Sequence, residues 1–170
     1  VVMVDSLYTC QVEASDEDDD RVTLEIIGGP DGMTLNSLNI IEWPTTTSDH
    51  GSHTVKIRAH DGKGGEDIQE YVINVQYPVL NADFAYTPDS PEPCPMEVAF
   101  TALPSTPYVT NYHWDFGDGT VIEGADKRKI RHTFTDYNEP SPFPDKDFAV
   151  TLTLTGPGNG AEQNPTTQKT

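Results

Sequence analysis

The stretch Trp114-Asp115-Phe116-Gly117-Asp118-Gly119-Thr120 decides the fold. Trp114 and Phe116 stand two positions apart, so an extended strand sends both rings into the same face. Gly117-Asp118-Gly119 then supplies a tight turn, because glycine adopts positive φ without a Cβ penalty. Short carboxylates at Asp115 and Asp118 suit the capping of that turn's amides. The reading is of an aromatic strand with one buried face, running into a turn.

Working outward, further apolar alternation marks strands near residues 82–87, 96–101, 109–116, 130–134 and 148–155. Thr166-Thr167-Gln168-Lys169-Thr170 reads as the opening of a final strand, and seven short strands are expected in this half. The half before it follows the same logic. Residues 7–15 alternate in the period-2 manner and Val22–Ile27 follow an acidic turn, which predicts a hairpin-like start. Short strands are expected at 33–35 and 39–43. The clearest pair is His53–His60 and Ile68–Gln76, joined by Asp61-Gly62-Lys63-Gly64-Gly65. Short strands at this spacing, with glycine-rich turns and no helical period, predict an all-β chain of sandwiches.

A seam at Tyr77-Pro78 divides the 170 residues into 1–78 and 79–170, each the size of a small sandwich. The net charge of −18 is spread over both, with 4 basic and 15 acidic residues in the first part and 6 and 13 in the second. Such a surface repels phosphate backbones and anionic headgroups, which excludes nucleic acid as a partner. No apolar run is long enough to span a membrane, so no direct membrane insertion is expected. The chain begins without an initiator Met and reads as a mature or excised piece of something longer. Its two cysteines, Cys10 and Cys94, fall one in each half, so neither half closes a disulfide of its own. Cys10, in phase with Tyr8 and Val12, reads as a buried free thiol, and Cys94, between prolines, as a loop residue.

The Trp114–Thr120 motif, preceded by Ala82-Asp83-Phe84 and followed by His132-Thr133-Phe134 and Val150–Leu154, resembles the PKD-type domain over about residues 80–170. This copy differs in lengthening the connection between Thr135 and Asp147, an extension that offers a contact surface of its own. The first half is similar to the cadherin-like and immunoglobulin-type modules repeated in bacterial surface proteins. That likeness is carried by Tyr8–Ala14, Asp16–Asp20 and the Ala59–Gly65 turn, while Leu38–Pro44 departs from the pattern. Together the resemblances imply two tandem immunoglobulin-like Greek-key β-sandwiches in an extracellular, cell-surface, prokaryotic protein.

In that topology the loop Asp16-Glu17-Asp18-Asp19-Asp20 and the turn holding Asp61 lie at one end of the sandwich. Carboxylates so close repel, and a cation between Asp16, Asp18, Asp20 and Asp61 relieves them. Ca²⁺ is the expected ion, since it takes 6 to 8 oxygen ligands; the alternative is a solvated acidic turn. The loop is not an EF-hand, because Arg21 stands where Gly is required and Ile27 where a bidentate Glu would bind. In arrays of cadherin-like modules a neighbour completes such a site, so another module or a second copy is the expected partner.

Catalysis has no candidate constellation. Asp49-His50-Gly51-Ser52-His53 holds an acid, a base and a hydroxyl, yet neighbours on an extended chain point apart, and the segment reads as a turn. Pro44–Ser48 and Pro165–Thr167 offer hydroxyls to O-linked glycans. The function expected is that of a non-catalytic structural or adhesive module, assembled end to end into a filament by strand addition and Ca²⁺-stiffened junctions. The alternative is an accessory, polymer-binding or spacer pair attached to a secreted hydrolase.

Overall fold

The computed structural model describes residues 1–87, 95–104, 106–135, 147–157 and 164–170. Cys94 and most of the extension between Thr135 and Asp147 lie outside the described residues. The chain divides into two compact units, Val1–Pro78 and Val79–Thr170. Both are all-β, and the single helical element described is a 3-10 turn at Thr47–Asp49.

Unit 1 contains β1 (Val2–Met3), β2 (Leu7–Gln11), β3 (Thr23–Gly28), β4 (Thr34–Leu35), β5 (Ile40–Pro44), β6 (Gly51–His60) and β7 (Glu66–Gln76). One sheet has the order β1-β7-β6-β3 and the other β2-β5-β4. The long β6–β7 hairpin is written by alternation. Val55, Ile57, Ile73 and Val75 are buried, while Lys56 and Glu70 meet across the outer face at 2.8 Å. Ile41 and Trp43 of β5 close the core from the opposite sheet. The hairpin-like start is not formed. β2 pairs with β5 and β3 with β6, because residues 12–22 carry the chain from one sheet to the other. β1 is an element that alternation does not reveal: it runs parallel to β7, with Val2 opposite Val75 and Met3 opposite Gln76.

Unit 2 contains β8 (Phe84–Thr87), β9 (Met96–Ala102), β10 (Asn111–Asp115), β11 (Val121–Gly124), β12 (Lys129–Phe134), β13 (Val150–Thr155) and β14 (Thr166–Lys169). Its sheets have the orders β11-β10-β13-β14 and β12-β9-β8. Trp114 and Phe116 enter the core together, both fully buried, with parallel rings 6.5 Å apart. Phe84, Phe100, Phe134, Leu152 and Leu154 surround them. The segment expected to open a last strand is paired, from Thr166 opposite Thr153 to Lys169 opposite Val150. Lys169 also binds the Asp83 carboxylate at 2.8 Å, joining the last strand to the residue just before β8.

The turn after β10 depends on Gly117, at φ +70. A Cβ there would stand 2.9 Å from the Ala149 carbonyl oxygen, so glycine serves both conformation and close approach. Asp115 Oδ1 accepts from the Gly117 amide and Asp118 Oδ1 from the Thr120 amide, each at 2.9 Å, in the capping role the sequence suggests.

Candidate functional site

The acidic loop and the Asp61 turn do meet in unit 1, and the group that joins them is a lysine. Lys63 Nζ binds Asp20 Oδ1 at 2.6 Å, while the Lys63 amide donates to Asp61 Oδ1 at 2.7 Å. The same Asp61 oxygen accepts from the Gly64 and Gly65 amides, each at 3.0 Å. Those amides, Lys63's foremost, hold the Asp61 carboxyl below its ordinary value. A Cβ on Gly65 would lie 2.7 Å from Asp61 Oδ2, so a larger residue there would push the carboxylate aside. Asp16 Oδ1 accepts from the Asp18 amide at 2.9 Å and the Asp20 amide at 3.2 Å, forming an Asx turn.

Three of these four carboxylates, those of Asp16, Asp61 and Asp20, are therefore engaged in two backbone-capping turns and one ion pair, while Asp18 contributes its amide. Among the described residues no three His, Cys, Asp or Glu side chains are gathered so as to hold a metal ion. A Ca²⁺ cage would require Asp20 to leave Lys63 and several other oxygens to be supplied.

Asp16 and Asp61 also stand at the mouth of a cleft of about 330 Å³. Its floor is aliphatic, made by Val12, Val22, Leu24 and Ile57, and its remaining acidic rim is Glu13, Glu66 and Asp67. No Lys or Arg lines it. The crossing segment supplies residues 12–16 and Val22 to the lining. Sequence reading found the carboxylates but not the aliphatic floor beneath them.

Several smaller expectations are corrected by the packing. Cys10 is half-buried instead of buried, because β2 is an edge strand and leaves its inward face partly open. Its neighbour Tyr8 donates to the Tyr71 hydroxyl at 3.4 Å, and burial, then Tyr71 and Cys10, push the Tyr8 phenol up. The segment 49–53 is less a turn than a strand start. Thr46 and Asp49 form a capping box on the 3-10 turn, and His53 already lies in β6, its ring edge-on to Trp43 at 4.9 Å. Of the hydroxyls offered to glycans, Thr45 is buried and bonds the Met3 and Ser6 carbonyls, each at 2.8 Å. Thr166 is in β14, its hydroxyl 3.0 Å from that of Thr153.

In unit 2 the notable polar contact is within the core rim. His132 Nε2 lies 2.6 Å from Asp118 Oδ2, with side-chain exposures of 10% and 13%. The imidazole stacks on Phe116 at 4.0 Å and meets Phe134 edge-on at 4.6 Å.

The family model described as "PKD domain" matches residues 83–168, and the one described as "Putative Ig domain" matches residues 1–76. No curated protein sequence matches the chain. Among solved structures, the amphioxus IgVJ-C2 molecule is 9% identical, with 98% of this chain and 96% of that chain covered, at a TM-score of 0.40. Extracellular domains 3–5 of Drosophila OTK are 12% identical, with 98% and 56% covered, at a TM-score of 0.37.

Proposed function

We propose, for a chain that belongs to the PKD domain family and carries an immunoglobulin-type module ahead of its PKD domain, that its function is structural and adhesive: a non-catalytic building block of an extracellular, prokaryotic surface assembly. Modules of these two kinds occur mostly in extracellular proteins, generally lack catalysis and commonly bind other proteins. Among the described residues no helix is long and apolar enough to cross a membrane. The observation that carries the reading is the tandem itself, two sandwiches each with its own core.

End-to-end assembly is the finer part of the proposal. β2 is paired on one side only, by β5. Its free edge, Leu7–Gln11, supports addition of an extended strand from a neighbouring copy. Electron microscopy of the purified native material tests this directly. Ordered fibres with a repeat of one chain length are expected; dispersed two-domain particles at high concentration would remove assembly and leave a spacer role.

Calcium is the second reading, favoured by five carboxylates in the single loop 16–20. If Ca²⁺ binds there, millimolar Ca²⁺ raises the unfolding midpoint, chelator reverses the rise and Asp61→Asn abolishes it. Equal midpoints in Ca²⁺ and in chelator, measured by calorimetry, would overturn the calcium reading and leave a solvated acidic turn tied to Lys63.

A further inference from the structure

Four of the chain's ten basic residues fall within five positions, Lys127-Arg128-Lys129-Ile130-Arg131. They occupy the turn that leaves β11 in one sheet and the start of β12 in the other. Arg128, Lys129 and Arg131 are exposed. Lys127 pairs with Asp126 at 2.8 Å and Arg131 with Glu97, whereas Lys129 has no ion-pair partner among the described residues. A concentrated basic turn in a chain of charge −18 is a local reversal of sign.

Its complement is in the other unit. The cleft of unit 1 presents Glu13, Asp16, Asp61, Glu66 and Asp67 around an aliphatic floor, and although Glu66 also meets Arg58 at 3.6 Å, no Lys or Arg is among its lining residues. Lysine and arginine match such a surface in both respects, because their stems cover apolar area while their heads stay at the rim. Resting on the end-to-end reading above, we propose that the unit 1 cleft of one molecule receives the basic turn, residues 127–131, of a second copy. The two surfaces are different, so the contact is heterologous, and repeating it builds a head-to-tail assembly. General repulsion between two anionic molecules does not prevent it, since at about 0.1 M salt it is screened beyond about 10 Å, while charges in contact still attract.

The test is sedimentation velocity on the intact chain and on two charge-swapped variants, with circular dichroism to establish folding. Glu13→Lys/Glu66→Lys/Asp67→Lys turns the five-carboxylate rim into three lysines against two carboxylates, and Arg128→Glu/Lys129→Glu/Arg131→Glu turns the four-cation turn into three carboxylates against one lysine. The wild type is expected to associate at about 0.1 M NaCl and to weaken at least about tenfold at 0.5 M. Each variant alone is expected to be monomeric, and their mixture to associate again, because every contact then pairs opposite signs. Wild-type assemblies that persist unchanged in both variants would overturn the cleft contact and leave end-to-end assembly standing on another surface. A wild type that stays monomeric throughout would overturn both. So would variants that change the shape of a monomer without changing its mass, for the turn would then act within one molecule. Titration with a synthetic peptide of residues 125–133 completes the test: cleft resonances are expected to shift, and a cleft that answers oligolysine but not this peptide belongs to a foreign basic partner.

Discussion

Trp114→Ala is expected to destabilise unit 2 by about 4 kcal/mol, the scale for truncating a large aromatic in a packed core. Trp114 is fully buried, edge-on to Phe84 at 5.3 Å and 5.8 Å from Phe100. Its indole N–H also donates to the Lys127 carbonyl at 2.9 Å, so truncation removes packing and leaves that acceptor without its partner. For a unit of this size the loss corresponds to a fall of roughly 20 °C in Tm. The chain has two tryptophans, so in this variant Trp43 alone reports by fluorescence, and it reports on unit 1. Urea unfolding followed by circular dichroism measures the loss in unit 2. A Trp114→Phe control keeps a ring and forfeits the N–H, and is expected to lose less than half as much. A loss under about 1 kcal/mol for the alanine variant would contradict the packing role.

Asp118→Ala is the second large effect, about 2 kcal/mol, because it strips the half-buried His132 of its hydrogen-bond partner and the turn of a cap. The sign of its pH dependence follows from the surroundings of Asp118. Burial alone would raise its pKa; the hydrogen bond from His132 and those from the Thr120 amide and hydroxyl outweigh burial and leave the carboxyl below its ordinary value. A carboxylate depressed in the folded state contributes stability that is complete above the unfolded pKa of about 4 and is lost as pH falls through the folded value. Stability curves of the wild type and Asp118→Ala should therefore converge below about pH 4. Curves that stay parallel into acid would assign the whole effect to packing.

The aromatic turn and the β6–β7 hairpin were the legible parts of the fold. Each depends on neighbours in sequence: Trp114 and Phe116 share a face by spacing alone, and Val55, Ile57, Ile73 and Val75 write a half-buried sheet in period two. β1 was illegible because two residues hold no period, and β11 because Val121 begins it exposed. The misread hairpin has a related cause. β2 and β3 are consecutive, and consecutive strands often pair, but residues 12–22 cross between sheets and give each strand a later partner. At the site, the convergence of the acidic loop with the Asp61 turn was readable from topology. Lys63 as its cation was not, although a lone lysine inside a glycine turn facing five carboxylates was a signal to weigh. The Asp118–His132 contact was out of reach for the same reason as the sheet crossing: each residue is visible in the sequence, and only closure of the sandwich brings them together.

The parallel pairing of β1 with β7 has a mechanical meaning. A pull applied through the two ends of unit 1 acts along these strands in opposite directions, so the Val2–Val75 and Met3–Gln76 pairings and the bond from the Val4 amide to the Gln76 carbonyl bear the load side by side. An antiparallel closure pulled from one end would open like a zipper, one bond after another. Shear of this kind demands that the whole patch fail at once, which lets a very short strand act as a force clamp on a module under tension.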